Sequence, residues 1–101
     1  MLIGRNQWVI DAAIEALESP AIKVYGALNA KETVAVLNKI EINHAFVGPG
    51  LELNIRLKII RSIFTISSFT TVHLKDHSTG PEGALNFVRG ILKGLDEIEK
   101  N

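Results

Sequence analysis

Short apolar runs of strand length alternate along this chain with longer segments whose apolar residues recur every three or four positions. That alternation predicts βαβ units around a parallel sheet. A first, very short strand is expected at Leu2-Ile3-Gly4. A helix follows from about Gln7 to Glu18, with Val9, Ala12, Ala13, Ala16 and Leu17 on one broad stripe. Ser19-Pro20 ends it, because proline cannot continue a helix and restrains the residue before it. A second strand is expected over Ala21 to Tyr25, where Ile22 and Val24 alternate with Lys23 and Tyr25 in the manner of a half-exposed edge. Asn29 with Glu32 three residues on marks the start of a second helix running to about Lys39, with Ala30, Val34 and Leu37 inward.

The third strand, about His44 to Val47, has the short apolar centre Ala45-Phe46-Val47 expected of a strand buried on both faces, and Gly48-Pro49-Gly50 stops it. The third helix, about Glu52 to Ile66, carries more apolar residues than one stripe can hold. A fourth strand, about Phe69 to Leu74, alternates again and reads as an edge. The loop Lys75 to Gly80 leads to a last helix that opens with Pro81 and has its core face at Leu85, Val88, Leu92 and Leu95. The end of the chain, residues 95–101, reads as a fraying tail. The whole, residues 1–101, makes one α/β domain: a three-layer α/β/α sandwich on a four-stranded parallel sheet. Strand order 2-1-3-4 puts the short first strand inside and the alternating strands at the edges.

Composition narrows this further. With 101 residues the chain holds one domain, and 11 basic against 11 acidic side chains give no global attraction for nucleic acid or anionic lipid. No apolar run approaches the roughly 20 residues that span a bilayer, and a signal-type leader is not expected. Cysteine is absent, which removes disulfides, thiol nucleophiles and Cys-zinc sites. A cytoplasmic protein is expected, with no nucleic-acid or membrane partner and no cofactor.

Open parallel sheets bind ligands beyond the carboxyl ends of their strands, where the strand order reverses. In a 2-1-3-4 sheet that point lies between strands one and three. Arg5, Asn6, Gly48 and Gly50 flank it, and Lys75, His77, Ser78 and Thr79 stand at the same end. These residues are the ligand-binding candidates. The segments INHAFVGPGL and TVHLKDHSTGPEGALNFVRGIL resemble the third strand with its loop, and the last strand, lysine and helix, of the response-regulator receiver family. The resemblance implies a flavodoxin-like scaffold, a bacterial signalling setting and a match of Lys75 to the lysine that contacts a phosphoryl group. The departures are specific. Arg5 and Asn6 stand where receivers place an acidic pair for magnesium, and Gly48 stands where they place the phosphoacceptor aspartate. Without those carboxylates there is neither a hard-cation site nor a phosphoacceptor. The chain is also one βα unit short. What the resemblance implies is a non-catalytic, pseudo-receiver-like module working through protein–protein contact. The other reading of the same positions is a small-ligand or anion-binding domain.

Other signals are weaker. Gly48-Pro49-Gly50 is loop punctuation before it is an anion cradle, and no Walker or dinucleotide glycine pattern follows any strand. The segment HSTGPEG caps the last helix, with free amides that also attract anions. His44, His73 and His77 do not amount to a zinc ligand set, and no residues assemble a nucleophile, base and orienter, so neither a metal site nor catalysis is expected. On the last helix, Gly83, Phe87, Gly90 and Gly94 share one face at spacings of four, three and four. Helix-interior glycine costs about 1 kcal/mol relative to alanine, so this face is a candidate interface. With the surplus apolar residues of the third helix and two free sheet edges, it leads to the expectation of a homodimer.

Overall fold

The computed structural model describes the backbone of residues 1–75 and 80–99 and the side chains of residues 1–75 and 85–95. Four parallel strands, β1 (Leu2–Ile3), β2 (Gly26–Ala27), β3 (His44–Val47) and β4 (Thr71–Leu74), lie in the order β2-β1-β3-β4. Helices α1 (Gln7–Leu17), α2 (Ala30–Lys39), α3 (Leu53–Ile66) and α4 (Gly80–Glu99) alternate with them. The register sets Leu2 beside Gly26 and Phe46, and His44 to Val47 beside Thr71 to Leu74. This is the three-layer sandwich and the strand order the hydrophobic pattern predicts. No described helix is long and apolar enough to cross a membrane.

Strand pleating sends alternate side chains into two cores. Ile3, Ala45 and Val47 face α2 and α3, where Ile59 and Ile63 are fully buried. Leu2 and Phe46 face α1 and α4, where Leu17 and Val88 are buried and Leu85, Ile91 and Leu92 pack around them. β3 contributes to both cores, as its apolar run requires.

Several boundaries differ from the sequence reading, each for a local reason. The second strand is not Ala21–Tyr25. Ser19 and Ile22 exchange backbone hydrogen bonds of 3.1 Å across Pro20-Ala21, so the start of that segment closes a tight turn. Pairing begins only where the Leu2 amide donates to the Tyr25 carbonyl. Gly26 is then needed in the strand, because a Cβ there would stand 2.5 Å from Ile10 Cγ2, so closely does α1 lie on β2. In α2 the Asn29 side chain accepts from the Glu32 amide at 2.9 Å, as predicted, while the Glu32 carboxylate accepts from Leu28 rather than from Asn29 itself. Val34 turns towards α3, and the buried position is Thr33, whose hydroxyl donates to the Asn29 carbonyl one turn back.

β4 begins at Thr71 rather than Phe69. The Ser67 hydroxyl oxygen accepts from the amides of Phe69 and Thr70, and the buried Thr70 hydroxyl donates to the Ile42 carbonyl at 2.6 Å. These bonds turn the chain sharply from α3 into β4. α4 continues to Glu99, through residues expected to be a fraying tail.

Candidate functional site

At the carboxyl end of the sheet, backbone ladders run on past the strands. Gly4 donates to the Ala27 carbonyl at 3.1 Å, Gly48 to Ile3 at 2.8 Å and Lys75 to Val47 at 3.1 Å. The loops after β1 and β3 lean on each other. A Cβ on Gly48 would lie 3.4 Å from the Ile3 carbonyl oxygen, and one on Gly50 would lie 3.5 Å from Arg5 Cβ. Arg5, Gly48 and Gly50 are thus brought together as expected. Asn6 caps α1 through its backbone only, with an exposed side chain. Lys75 leans the other way, its Nζ 6.0 Å from the Phe87 ring centroid on α4, within the range of a cation–π contact. His77, Ser78 and Thr79 lie outside the described residues. Arg56, one turn into α3 at this same end, was not a candidate, yet its Nε is buried without a hydrogen-bond partner.

Two surface hollows among the described residues lie elsewhere. One, of about 420 Å³, runs between α2 and α3 beside Val34, Lys58 and Ser62. The other, of about 290 Å³, sits at the opposite end of the sheet, between residues 37–42 and 66–69.

Register brings together a pair the sequence did not. His44 and His73 lie on adjacent strands, one pleat apart on the same face, with Nδ1 of His44 and Nε2 of His73 at 3.2 Å. The His73 ring stacks on Phe46 with centroids 4.7 Å apart, and Phe87 meets Phe46 edge-on at 6.5 Å. Burial, and secondarily the charge of His44, hold the His73 imidazole below its ordinary range. One nitrogen of the pair must donate and the other accept, so a second proton breaks the bond. Among the described residues no group of three or more His, Asp or Glu is placed to hold a metal ion.

The α4 candidates separate. Phe87 turns into the core beside Phe46 and is half-buried. A Cβ added at Gly90 or Gly94 would meet nothing within 4 Å, so neither glycine serves close packing among the described residues. The surroundings of Gly83 lie outside those described.

Among the described residues, several large apolar side chains are exposed. Leu53, Leu57 and Phe64 on α3 are 62%, 54% and 60% exposed, and Phe69 and Leu74 are each 51% exposed. With half-buried Ile60, the α3 residues recur at spacings of four, three and four, so they form one stripe. Lys58, Ser62 and Thr65 face the α2 groove, which puts the stripe on the opposite flank, above the free side of β4. α3 runs antiparallel to β4. By the rise per residue of helix and strand, Leu53 and Leu57 therefore stand about level with Leu74, and Ile60 with Val72. The sequence held the signal for this strip in the surplus apolar residues of α3, but not its direction. Comparison with protein-family models, with curated proteins and with solved structures returns no match.

Proposed function

We propose that this chain is a non-catalytic α/β module, receiver-like in its element order, that acts through protein–protein contact. The observation that carries the reading is the uncharged apolar strip along α3 and β4. A contiguous apolar patch of a few hundred Å² is the largest a typical monomer carries, and such patches are often functional. The residues where receivers hold their carboxylates support it from the other side. Arg5, Asn6 and Gly48 supply no phosphoacceptor, and the Gly48 amide is already spent on the Ile3 carbonyl. The resemblance to receivers makes signalling the setting. Incubation with acetyl phosphate and Mg²⁺, followed by intact-mass analysis, is expected to return the unmodified mass; a stoichiometric phosphoryl adduct overturns the reading.

The second reading, anion binding at the strand ends, is favoured by one specific observation: the buried Nε of Arg56, in the first turns of α3, has no hydrogen-bond partner among the described residues. A thermal-shift panel of inorganic phosphate, nucleotides and carboxylates decides between the two. A stabilisation that disappears in Arg56→Met establishes the second reading; no shift leaves the first.

A further inference from the structure

We infer that the α3–β4 strip is the contact surface for a second copy of this chain, with β4 pairing antiparallel to the partner's β4 about a two-fold axis at His73 and α3 packing along the partner's α3. This rests on the interaction-module reading and names its partner. Three independent features of the strip select a second copy.

The first is the unused edge of β4. The amides of Thr71 and Lys75 donate inward, to Asn43 and Val47 of the β3 side. By alternation the amides and carbonyls of Val72 and Leu74 point outward. No charged residue or proline within β4 guards that edge, the usual protection for a free strand. In an antiparallel pair, residues directly opposite must share a face, so a two-fold axis can fall only on a residue. An axis at Val72 would call on the outward Thr70 amide, which already donates to Ser67 Oγ at 3.1 Å. An axis at His73 calls only on groups that have no partner among the described residues. It sets Val72 opposite the partner's Leu74 as a doubly hydrogen-bonded pair, and it covers the exposed Leu74 side chain on the α3 face.

The second is that the helix stripe obeys the same axis. A four-three-four stripe reads alike in both directions. Two α3 helices packed antiparallel about the point between Leu57 and Ile60 set Leu53 against the partner's Phe64, and Leu57 against the partner's Ile60. Counted from the turn that joins α3 to β4, that point lies about 11 Å up the helix, and His73 lies about 10 Å up the strand. A single axis passes through both. The lateral spacing agrees as well. α3 covers β3 and β4, since Ala45, Val47 and Val72 share its core. Adding the partner's strands at about 4.8 Å places the two α3 axes about 10 Å apart, the ordinary distance between packed helices.

The third is area. At their exposures the large side chains of the strip leave about 500 Å² of apolar surface on each copy. A standard interface buries about 800 Å² per partner, and in homodimers about two-thirds of it is apolar. The strip is the size a stable dimer needs.

Sedimentation equilibrium of the full chain over about 1–100 µM is expected to show a dimer. The double variant Leu57→Glu/Phe64→Glu is expected to weaken it at least about 30-fold with an unchanged far-UV spectrum, both side chains being exposed. Gly90→Glu on α4 is expected to dimerise like the parent chain. An independent arm reads the strand register, since the chain has no cysteine of its own. Residues facing each other across the axis have Cα atoms about 4.5 Å apart, within disulfide range. His73→Cys is therefore expected to oxidise to a covalent dimer, and Gly90→Cys to remain monomeric on denaturing gels. A monomer throughout the concentration range, or a dimer broken by Gly90→Glu but not by the α3 variant, overturns the inference. A monomer that also takes no phosphoryl group overturns the second copy alone and leaves the interaction-module reading standing.

Discussion

β2 and β4 each close one side of the sheet, and they do so by different means. β2 is two residues long, Gly26–Ala27, with Ala27 buried and the Ile10 methyl of α1 pressed so close to Gly26 that no side chain fits. β4 is four residues long, its ends exposed, and its approach is fixed by hydroxyl bonds from Ser67 and Thr70 instead of by packing. One edge is finished by its own chain. The other is positioned by its chain, and no described residue covers it. An edge strand is thus protected by what lies over it, and at β4 the second copy proposed above would supply that cover.

The sharpest way to break this contrast is to put bulk on the closed edge. Gly26→Ala is expected to destabilise the fold by about 2–3 kcal/mol in urea titrations, since Ile10 is β-branched and held on a helix. If Gly26→Ala melts like the parent chain, the closed edge is not closed. Next comes the anchoring of the open edge. Thr70→Val keeps the shape but strips the bond to the Ile42 carbonyl, for an expected loss of about 1–2 kcal/mol.

Acid should act on the β4 side too. The His73 imidazole is held below its ordinary value, and burial holds the Met1 amine, which donates to the His44 carbonyl, down to about 6 from 8.0. In both cases the unfolded chain binds the proton more readily, so stability falls as pH falls. The amine acts between about pH 8 and 6, and the imidazole acts at and below its unfolded value of about 6.5. His73→Phe keeps the ring on Phe46 and is expected to flatten only the lower part of a denaturation-versus-pH curve; a profile unchanged by that variant would show that His73 carries none of it. The smallest effect belongs to the exposed side chain of the open edge. Leu74→Lys, measured on dilute monomer, is expected to lie within about 0.5 kcal/mol of the parent.

Strand order was legible because the interior strands lack the alternation that marks an edge. Ala45-Phe46-Val47 reads as doubly buried from its residues alone, and it is. The second strand was misplaced because Ile22 and Val24 alternate as convincingly as a true strand. What decides their fate is the Ser19–Ile22 turn and the room Ile10 leaves at Gly26, and neither is a property of the local pattern. Nothing in the sequence marks Thr33 and Thr70 as buried, because only their polarity is visible there. The carbonyl that satisfies each hydroxyl is not: Asn29 is one turn away, but Ile42 is 28 residues away. At the candidate site, the meeting of Arg5 with Gly50 followed from strand order, whereas the His44–His73 contact needed the register of β3 against β4, which the displaced start of β4 concealed.

The placement of β1 has a consequence for the order in which the fold can assemble. Its two residues sit between β2 and β3, so Leu2 must find partners at Gly26 and Phe46. β1 and β2 pair Leu2 with Gly26 across 24 positions, and β3 and β4 pair Phe46 with His73 across 27, whereas the Leu2–Phe46 pair that joins the two units spans 44. Closing a longer loop costs more entropy before any contact rewards it. The parallel units β1-α1-β2 and β3-α3-β4 are therefore the parts able to form early, the second with its apolar flank already in place, and the seam between β1 and β3 at the centre of the sheet closes last.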